Sequence, residues 1–220
     1  MATLYTISKI CFRFVGFTCV RPVVLHPERF HVPGGFILAC SHVSHLEPFI
    51  VSTLVDRRID WMARIEFYRY HIFAAMLREY DAFPVNRQGV PVRAIRTAIE
   101  RSRAGRVVGI FPEGGVARGR ESILRGGPIK KGVCVIAYRA ALPVLPVIML
   151  GTEKLNCVGP WLPFRRARIW INFGRLVYPR LDEPRRRVAR HLMADDLGAE
   201  FQAIYKELCR TCGIDDRDVP

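Results

Sequence analysis

Short apolar runs alternate with segments of helical periodicity along most of the chain. Phe36–Cys40 is an unbroken apolar run of strand length, whereas Val92–Arg103 places apolar and charged residues on opposite faces of a helix. The same criteria predict strands at Phe36–Cys40, Ile59–Ala63, Ala82–Arg87, Arg106–Phe111, Leu142–Leu150 and Arg168–Phe173, and helices at Ser44–Leu54, Phe67–Leu77, Val92–Arg103, Ile129–Ala141 and Glu183–Leu208. Strands that alternate with helices predict an α/β fold with a mostly parallel central sheet flanked by helices.

Two segments depart from this alternation. Leu142–Leu150 is apolar but contains Pro143 and Pro146. Because proline cannot donate a hydrogen bond to a ladder, we expect this strand to be irregular or to lie at an edge. The segment Val116–Pro128 is rich in glycine and arginine, and we expect it to be a long polar loop.

Residues 1–22 are predicted to form an amphipathic helix that lies in a membrane interface. Apolar residues such as Leu4 and Phe14 follow helical spacing, while Lys9, Arg13 and Arg21 interrupt the apolar run and can reach lipid headgroups. These cations argue against a secretory signal and against a membrane-spanning helix. The alternative is a core helix that packs on the domain. The predicted organisation is therefore a helix at 1–22 followed by one domain at 23–220.

Composition narrows the classes of partner. The chain has 220 residues, and its formal net charge of +14 indicates nucleic acid, a membrane surface or a phosphorylated substrate. No recognised nucleic-acid-binding motif accompanies the arginines, and aromatic residues are not interleaved with them, so nucleic acid is the weaker alternative. The seven cysteines are odd in number and lack the spacing of a metal site, which predicts a reduced, cytosolic protein without structural metal.

Arginines crowd the C-terminal quarter of the chain, from Arg165 to Arg190. Each cation near an anionic leaflet contributes about 1 kcal/mol of attraction. Together with the amphipathic N-terminus, these arginines predict a peripheral protein on the cytoplasmic face of a membrane. The alternative is a basic surface that serves only solubility.

Three predicted strands end in polar groups that suit acid–base and phosphate chemistry. His42 follows the first strand, Arg87 ends a brief extended segment, and Glu113 follows Arg106–Phe111. Because the carboxyl ends of parallel strands meet at one edge of a sheet, we expect a base, a cation and a carboxylate to surround one crevice.

The turn after the first strand has two interpretations. Ser44 and Glu47 have the spacing of a capping box ahead of an apolar helix, so Glu47 could serve only as a cap. Alternatively, Glu47 caps Ser44 with one oxygen and holds His42 with the other. That contact requires His42 to precede the helix, because residues five apart do not share a helix face. His45 is the competing candidate for the base.

The ordered segments resemble the motif blocks of the glycerolipid acyltransferase superfamily, in its lysophosphatidate acyltransferase (PlsC-type) branch. His42 and Glu47 resemble the first block, with Glu in place of the usual Asp. The other resemblances are Phe83–Arg87 to the second block, Phe111–Gly114 to the third and Val144–Ile148 to the fourth. The resemblance covers roughly Gly34 to Tyr178 and implies the α/β fold of that family.

The resemblance implies an acyltransferase with His42 as general base and Glu47 as its orienting carboxylate. An unperturbed histidine suits proton removal near neutral pH, and a carboxylate on its other nitrogen fixes the tautomer. The chain has no Gly-x-Ser-x-Gly motif, so we expect direct transfer without a covalent serine intermediate. No cofactor or metal is expected beyond the acyl donor, which is acyl-CoA or acyl carrier protein.

The implied acceptor site contains Arg87 as the phosphate ligand, because a guanidinium matches phosphate oxygens bidentately. Residues expected to line the same site are Glu113, Gly114, Gly115 and Arg118. The family continues Glu-Gly-Thr-Arg-Ser where this chain has Glu113-Gly-Gly-Val-Ala-Arg118, so Arg118 is expected to supply the displaced cation. The default acceptor is lysophosphatidate, giving phosphatidate. Glycerol-3-phosphate, another lyso-lipid and a non-catalytic lipid-binding role are the alternatives.

Overall fold

A computed structural model describes residues 20–117, 119–155 and 167–215. In these residues seven strands form one sheet: β1 (Val20–Leu25), β2 (Phe36–Cys40), β3 (Ile59–Arg64), β4 (Phe83–Val85), β5 (Val107–Ile110), β6 (Val144–Leu150) and β7 (Ala167–Phe173). The α-helices are α1 (Glu47–Leu54), α2 (His71–Glu79), α3 (Val92–Arg103), α4 (Gly132–Ala140) and α5 (Arg186–Cys212). Short 3-10 helices include Ile65–Arg69, Gly119–Glu121 and Ile123–Arg125.

The strands lie in the order β1-β7-β6-β2-β5-β3-β4. Every pairing among the described strands is parallel except that of β6 with β7. The predicted α/β class with a mostly parallel sheet is confirmed. Because β2, β3, β4 and β5 run in one direction, their carboxyl ends share one edge of the sheet, which is called the carboxyl edge below.

The sheet is covered on both faces, which explains the unbroken apolar run of β2. Alternate residues of this strand enter different clusters: Ile37 and Ala39 pack on the side of α3, α4 and α5, whereas Phe36, Leu38 and Cys40 pack with α1. All five side chains of β2 are buried, so the strand that leads to His42 is fixed from both sides.

Strand β6 corrects the expectation of an edge-like course. It lies between β2 and β7, and all seven of its side chains are buried. Pro143 precedes the strand, and the ladder with β7 extends from Val147 to Leu150. The Pro146 carbonyl accepts the Gly174 N–H at 2.8 Å, so the missing N–H of Pro146 falls just outside that ladder. A proline at the end of one ladder does not prevent burial.

The N-terminal prediction falls mostly outside the described residues. Positions 1–19 are not among them, and Val20–Leu25 forms β1 beside β7, so residues 20–22 are strand rather than the end of a helix. Among the helices that the structure describes, none has the length and apolar character needed to cross a bilayer.

The loop predicted at Val116–Pro128 is more ordered than its composition indicates. Its described part contains two short 3-10 helices, and Ser122, Ile123 and Leu124 are fully or almost fully buried. Ile123 and Leu124 join the apolar cluster with α5. This anchoring places Ser122 beside the candidate site.

Candidate active site

His42 stands where β2 leaves the sheet at the carboxyl edge. The preceding residue, Ser41, donates its N–H to the Val147 carbonyl at 3.0 Å, and its hydroxyl accepts the Met149 N–H at 3.0 Å. Both bonds fasten the beginning of the turn to β6. His42 is buried in consequence, and its main-chain carbonyl accepts the Ala117 N–H at 3.1 Å.

Aromatic rings support the imidazole from one side. The Phe111 ring stacks on the His42 ring at a centroid distance of 4.0 Å and an interplanar angle of 27°. Trp61 stacks in turn on Phe111 at 5.2 Å, and its indole N–H donates to Ser52 at 3.0 Å. Gly109 makes room for this stack, since a Cβ there would lie 2.5 Å from the Trp61 ring. The stacked rings restrict how far the His42 imidazole can tilt.

Glu47 binds the ring and the turn at the same time. Its Oε2 lies 2.8 Å from His42 Nδ1, while Oε1 accepts the N–H groups of Val43 and Ser44 at 2.9 and 3.1 Å. The Thr152 hydroxyl also donates to Oε1, at 3.0 Å. Glu47 is fully buried, so these partners replace the water that a carboxylate would otherwise bind. The expected double contact with Ser44 and His42 is present.

The helix itself begins later than predicted. Helix α1 starts at Glu47, with Pro48 in its first turn, and Ser44 does not cap it. The Ser44 hydroxyl instead accepts the Leu46 N–H at 3.3 Å within the turn. The later start leaves His42 well before the helix, which is the condition for its ring to meet Glu47.

Burial controls the protonation of the candidate base. The pKa of His42 is lowered to about 4. Desolvation is the largest cause and the Arg87 charge acts in the same direction, while the Glu113 carboxylate opposes them. Burial raises the pKa of Glu47, while its bonds to the Val43 amide, the Thr152 hydroxyl and the Ser44 amide lower it. At neutral pH the ring is therefore uncharged, and with Nδ1–H donated to Glu47 its Nε2 is a proton acceptor.

His45 occupies a different position from His42. His45 belongs to the exposed residues, and its ring lies edge-to-face to the His42 ring at a centroid distance of 5.7 Å. The histidine whose Nδ1 contacts Glu47 is His42. The geometry therefore favours His42 over His45 as the base.

Glu113 reaches the same turn from the end of β5. Its Oε2 accepts the His42 main-chain N–H at 2.6 Å, and its Oε1 accepts the Ser122 hydroxyl at 3.0 Å and the Ile123 N–H at 2.9 Å. Glu113 is buried. The expectation that it lines an acceptor site gains no support from this arrangement, because its described contacts tie together two loops instead.

Two cations border the glycine turn that follows Glu113. A Cβ on Gly115 would lie 3.7 Å from Arg87 Nη1, and a Cβ on Gly114 would lie 2.6 Å from Lys130 Nζ. Gly114 also has a φ of +75°, a conformation that other residues rarely adopt. Arg87, Gly114, Gly115 and Lys130 thus form one polar corner. Arg118 lies outside the described residues.

Comparison with known proteins identifies the family. The family model described as Acyltransferase matches residues 21–150. The 1-acyl-sn-glycerol-3-phosphate acyltransferase of Bacillus subtilis (strain 168) is 29% identical over 132 residues, which are 60% of this chain and 63% of that protein. That of Streptococcus pneumoniae is 26% identical over 142 residues, 64% of this chain and 49% of the relative. The chain belongs to the acyltransferase family.

A solved structure shares the fold of this family member. The 1-acyl-sn-glycerophosphate (LPA) acyltransferase PlsC from Thermotoga maritima superposes with a TM-score of 0.66 at 23% sequence identity, covering 90% of this chain and 77% of that one. The resemblance drawn from the four motif blocks, and the fold expected from it, are confirmed. The matches span less than two thirds of the length of the two bacterial relatives described above.

Several residues at the site of this acyltransferase family member carried no sequence signal of their own. Thr152 and Ser122 hydrogen-bond to Glu47 and Glu113 across separations of 105 and 9 residues. Phe111 belongs to a motif block, but its role as a platform for His42 is visible only in the fold. Lys130 is one of many basic residues in the sequence, and its position over Gly114 assigns it to the polar corner.

Proposed function

We propose that this protein transfers a fatty acyl group from a thioester donor, acyl-CoA or acyl carrier protein, to the free hydroxyl of lysophosphatidate, giving phosphatidate. The observation that carries the proposal is the 2.8 Å contact between His42 Nδ1 and Glu47 Oε2 beneath the carboxyl edge. It leaves Nε2 of a neutral ring available to an acceptor hydroxyl. Support for this substrate class comes from the relatives, which are named as 1-acyl-sn-glycerol-3-phosphate acyltransferases.

The proposed reaction is a direct acyl transfer. His42 Nε2 takes the proton of the acceptor hydroxyl as its oxygen attacks the thioester carbonyl carbon, and the new C–O bond forms. The C–S bond then breaks, and the imidazolium returns the proton to the departing thiolate, which leaves as a free thiol. Glu47 stabilises the imidazolium between these two steps, because its negative charge lies on the opposite nitrogen.

The polar corner is proposed to bind the phosphate of the acceptor. Arg87 is close enough to His42 to lower its pKa, and Lys130 lies over the adjacent glycine turn. Two cations suit a phosphomonoester, which carries more charge than the phosphodiester of other lysophospholipids. This difference favours lysophosphatidate over lyso-lipids with a substituted phosphate. Glycerol-3-phosphate carries the same phosphomonoester and is therefore included in the acceptor panel.

We also propose that the protein works as a peripheral protein at the cytoplasmic face of a membrane. The formal net charge of +14 favours an anionic leaflet. The predicted amphipathic helix remains a prediction for residues 1–19, whereas Val20–Leu25 forms β1.

The test is an acyl-transfer assay with labelled acyl-CoA and with labelled acyl carrier protein, run against lysophosphatidate, glycerol-3-phosphate and lysophosphatidylglycerol. We expect transfer to lysophosphatidate to exceed transfer to the other two acceptors. His42→Ala should lower the rate by about 10²–10⁴-fold, as expected for loss of a general base, while His45→Ala retains most of it.

The polar corner is tested by the acceptor KM. Arg87→Gln and Lys130→Gln should each raise the KM for lysophosphatidate by about tenfold, because each removes about one charge-assisted hydrogen bond to the phosphate. Arg96→Gln is the matched control, because Arg96 is an exposed arginine that pairs with Glu100 on α3. Absence of transfer to every acceptor, or full activity of His42→Ala, contradicts the proposed function.

A further inference from the structure

A short segment after β3 exposes four large apolar side chains close together in the sequence. Ile65, Phe67, Tyr70 and Phe73 are 43%, 38%, 66% and 53% exposed. The rings of Tyr70 and Phe73 contact each other edge-to-face at a centroid distance of 6.3 Å, so they share one surface. These four residues are called the aromatic rim below. A concentration of exposed apolar residues marks an interaction surface more often than scattered single residues do.

The aromatic rim lies beside the candidate active site. It begins where β3 reaches the carboxyl edge, the edge at which β2 delivers His42. Arg64, the residue before the rim, is close enough to His45 and Arg87 to lower the pKa of each, in both cases after the larger effect of burial. The rim therefore begins at the same edge of the sheet as His42 and the polar corner.

Cations accompany the apolar residues of the rim. The segment from Arg64 to Arg78 contains three arginines (Arg64, Arg69 and Arg78) and one acidic residue, Glu66. Glu66 forms an ion pair with Arg64 at 3.7 Å. Exposed aromatic rings with arginines nearby suit the interface of a bilayer, where rings lie at headgroup level and guanidinium groups contact lipid phosphates.

We propose that the aromatic rim docks onto an anionic lipid bilayer and holds the carboxyl edge against it. This inference rests on the proposed function in one respect: the acceptor is then a lipid that enters the crevice from the same bilayer. Tyr70 and Phe73, as the most exposed members, provide most of the insertion, and Arg69 provides attraction to anionic headgroups.

Charge favours a bilayer over a second copy of this chain. In a two-fold dimer built on the rim, Arg64, Arg69 and Arg78 of one copy would face the same arginines of the other. Both copies also carry a formal net charge of +14, which opposes association. The same arginines are attracted to the negative headgroups of an anionic bilayer.

The test compares two double variants of the full chain in vesicle co-sedimentation. Tyr70→Ser/Phe73→Ser alters the rim. Tyr178→Ser/Leu181→Ser is the matched control, since Tyr178 and Leu181 are 61% and 53% exposed. Tyr178 lines a cavity with Gly34 and Pro143, which precede β2 and β6, and it therefore lies at the opposite edge of the sheet. The N-terminal segment is intact in both variants, so a difference in vesicle binding between them arises from the rim.

Vesicles are made of phosphatidylcholine alone or of phosphatidylcholine and phosphatidylglycerol in equal parts. On the mixed vesicles the rim variant should bind about tenfold more weakly than the parent, and the control should stay within about twofold. Arg69→Gln should bind mixed vesicles about fivefold more weakly than the parent, and its binding to phosphatidylcholine vesicles should change little. Equal losses in the rim variant and the control, or unchanged binding in the rim variant, overturn the proposal.

Two further readouts separate the possible failures. Vesicle binding is measured without an acyl donor, so it does not depend on whether the chain transfers acyl groups. Transfer to a water-soluble, short-chain lysophosphatidate should be equal in the rim variant and the parent, which excludes damage to the catalytic residues. If light scattering shows a dimer in the parent that the rim variant loses while vesicle binding is unchanged, the rim is a contact between copies and the proposal is wrong.

Discussion

Glu113 holds the main chain of His42: its Oε2 accepts the His42 N–H at 2.6 Å. Glu47 binds the ring of the same residue at 2.8 Å, so one histidine is fixed at its backbone by one carboxylate and at its side chain by another. Both carboxylates also bind loops that come from elsewhere in the chain, through Ser122 and Thr152. The orientation of His42, the proposed base, therefore depends on four segments.

Replacement of Glu47 should separate its two contacts. Glu47→Asp is expected to retain measurable activity, because a shorter carboxylate still accepts hydrogen bonds but does not span both the amides and the ring. Glu47→Ala should lose at least about tenfold in kcat. Steady-state kinetics with lysophosphatidate measure kcat for both variants. Equal rates for Glu47→Ala and the parent would show that Glu47 has only a structural role.

Glu47→Gln should lower kcat more than Glu47→Asp does, although glutamine is closer to glutamate in shape than aspartate is. The amide oxygen can replace Oε1 at the Val43 and Ser44 amides, but the amide nitrogen then donates to Nδ1 of His42. Nε2 consequently carries the proton and cannot act as a base, so kcat should fall by about 10²-fold or more with little change in the melting temperature. Activity of Glu47→Gln at or above that of Glu47→Asp would contradict this role of the carboxylate.

The pH dependence of kcat/KM should reflect the lowered pKa of His42. Because burial lowers that pKa to about 4, the ring stays uncharged well below the pH at which an ordinary histidine takes up its proton. Activity should remain level as the pH falls through 6.5 and decline only as it approaches the lowered pKa. A pH–rate profile on the free enzyme measures this, and an acid limb centred at or above pH 6.5 would show that His42 is not shielded as described.

Glu113 is expected to act by positioning His42. Glu113→Ala removes the acceptor of the His42 N–H, the Ser122 hydroxyl and the Ile123 N–H, and each unpaired buried group costs about 1–3 kcal/mol. The melting temperature should fall, and kcat should fall more than the acceptor affinity. Ser122→Ala is the control, since it removes only one of these bonds. A large rise in the acceptor KM with unchanged kcat would instead place Glu113 in the acceptor site.

Asp60 should affect stability without affecting catalysis. It is fully buried in β3 and accepts bonds from Arg101 at 3.0 Å and Arg106 at 2.6 Å, away from the carboxyl edge. Asp60→Asn removes the charge but keeps the shape, and its amide nitrogen would meet a guanidinium donor. Because Asp81 still accepts hydrogen bonds from both Arg101 and Arg106, the free energy of unfolding should fall by about 1–3 kcal/mol. Urea denaturation measures this change. A matching loss of kcat in the folded fraction would show coupling to the active site.

The sequence by itself determined most of the strands and helices, though not β1, and the residue types of the proposed chemistry. The two-faced pattern of α3 defines a helix, because a helical period gathers its apolar residues on one face. The unbroken apolar run of β2 defines a strand by its length of five residues. The order of polar strand ends placed His42, Arg87 and Glu113 at one edge. The prediction that β6 lies at an edge was wrong. A proline in the sequence shows that one backbone N–H is absent, but it does not show where the ladder with the neighbouring strand ends.

Only the tertiary structure decided what each polar residue touches. Glu113 resembled an acceptor ligand in the sequence, yet its oxygens bind the His42 backbone and the Ser122 turn. Nothing in the sequence distinguishes Lys130 from the other basic residues, and only the fold places it over Gly114. Hydrogen bonds act over a few ångströms in space, whereas their partners here lie as far as 105 residues apart in the chain. Such pairings follow from the packing of strands and loops, which no local pattern contains.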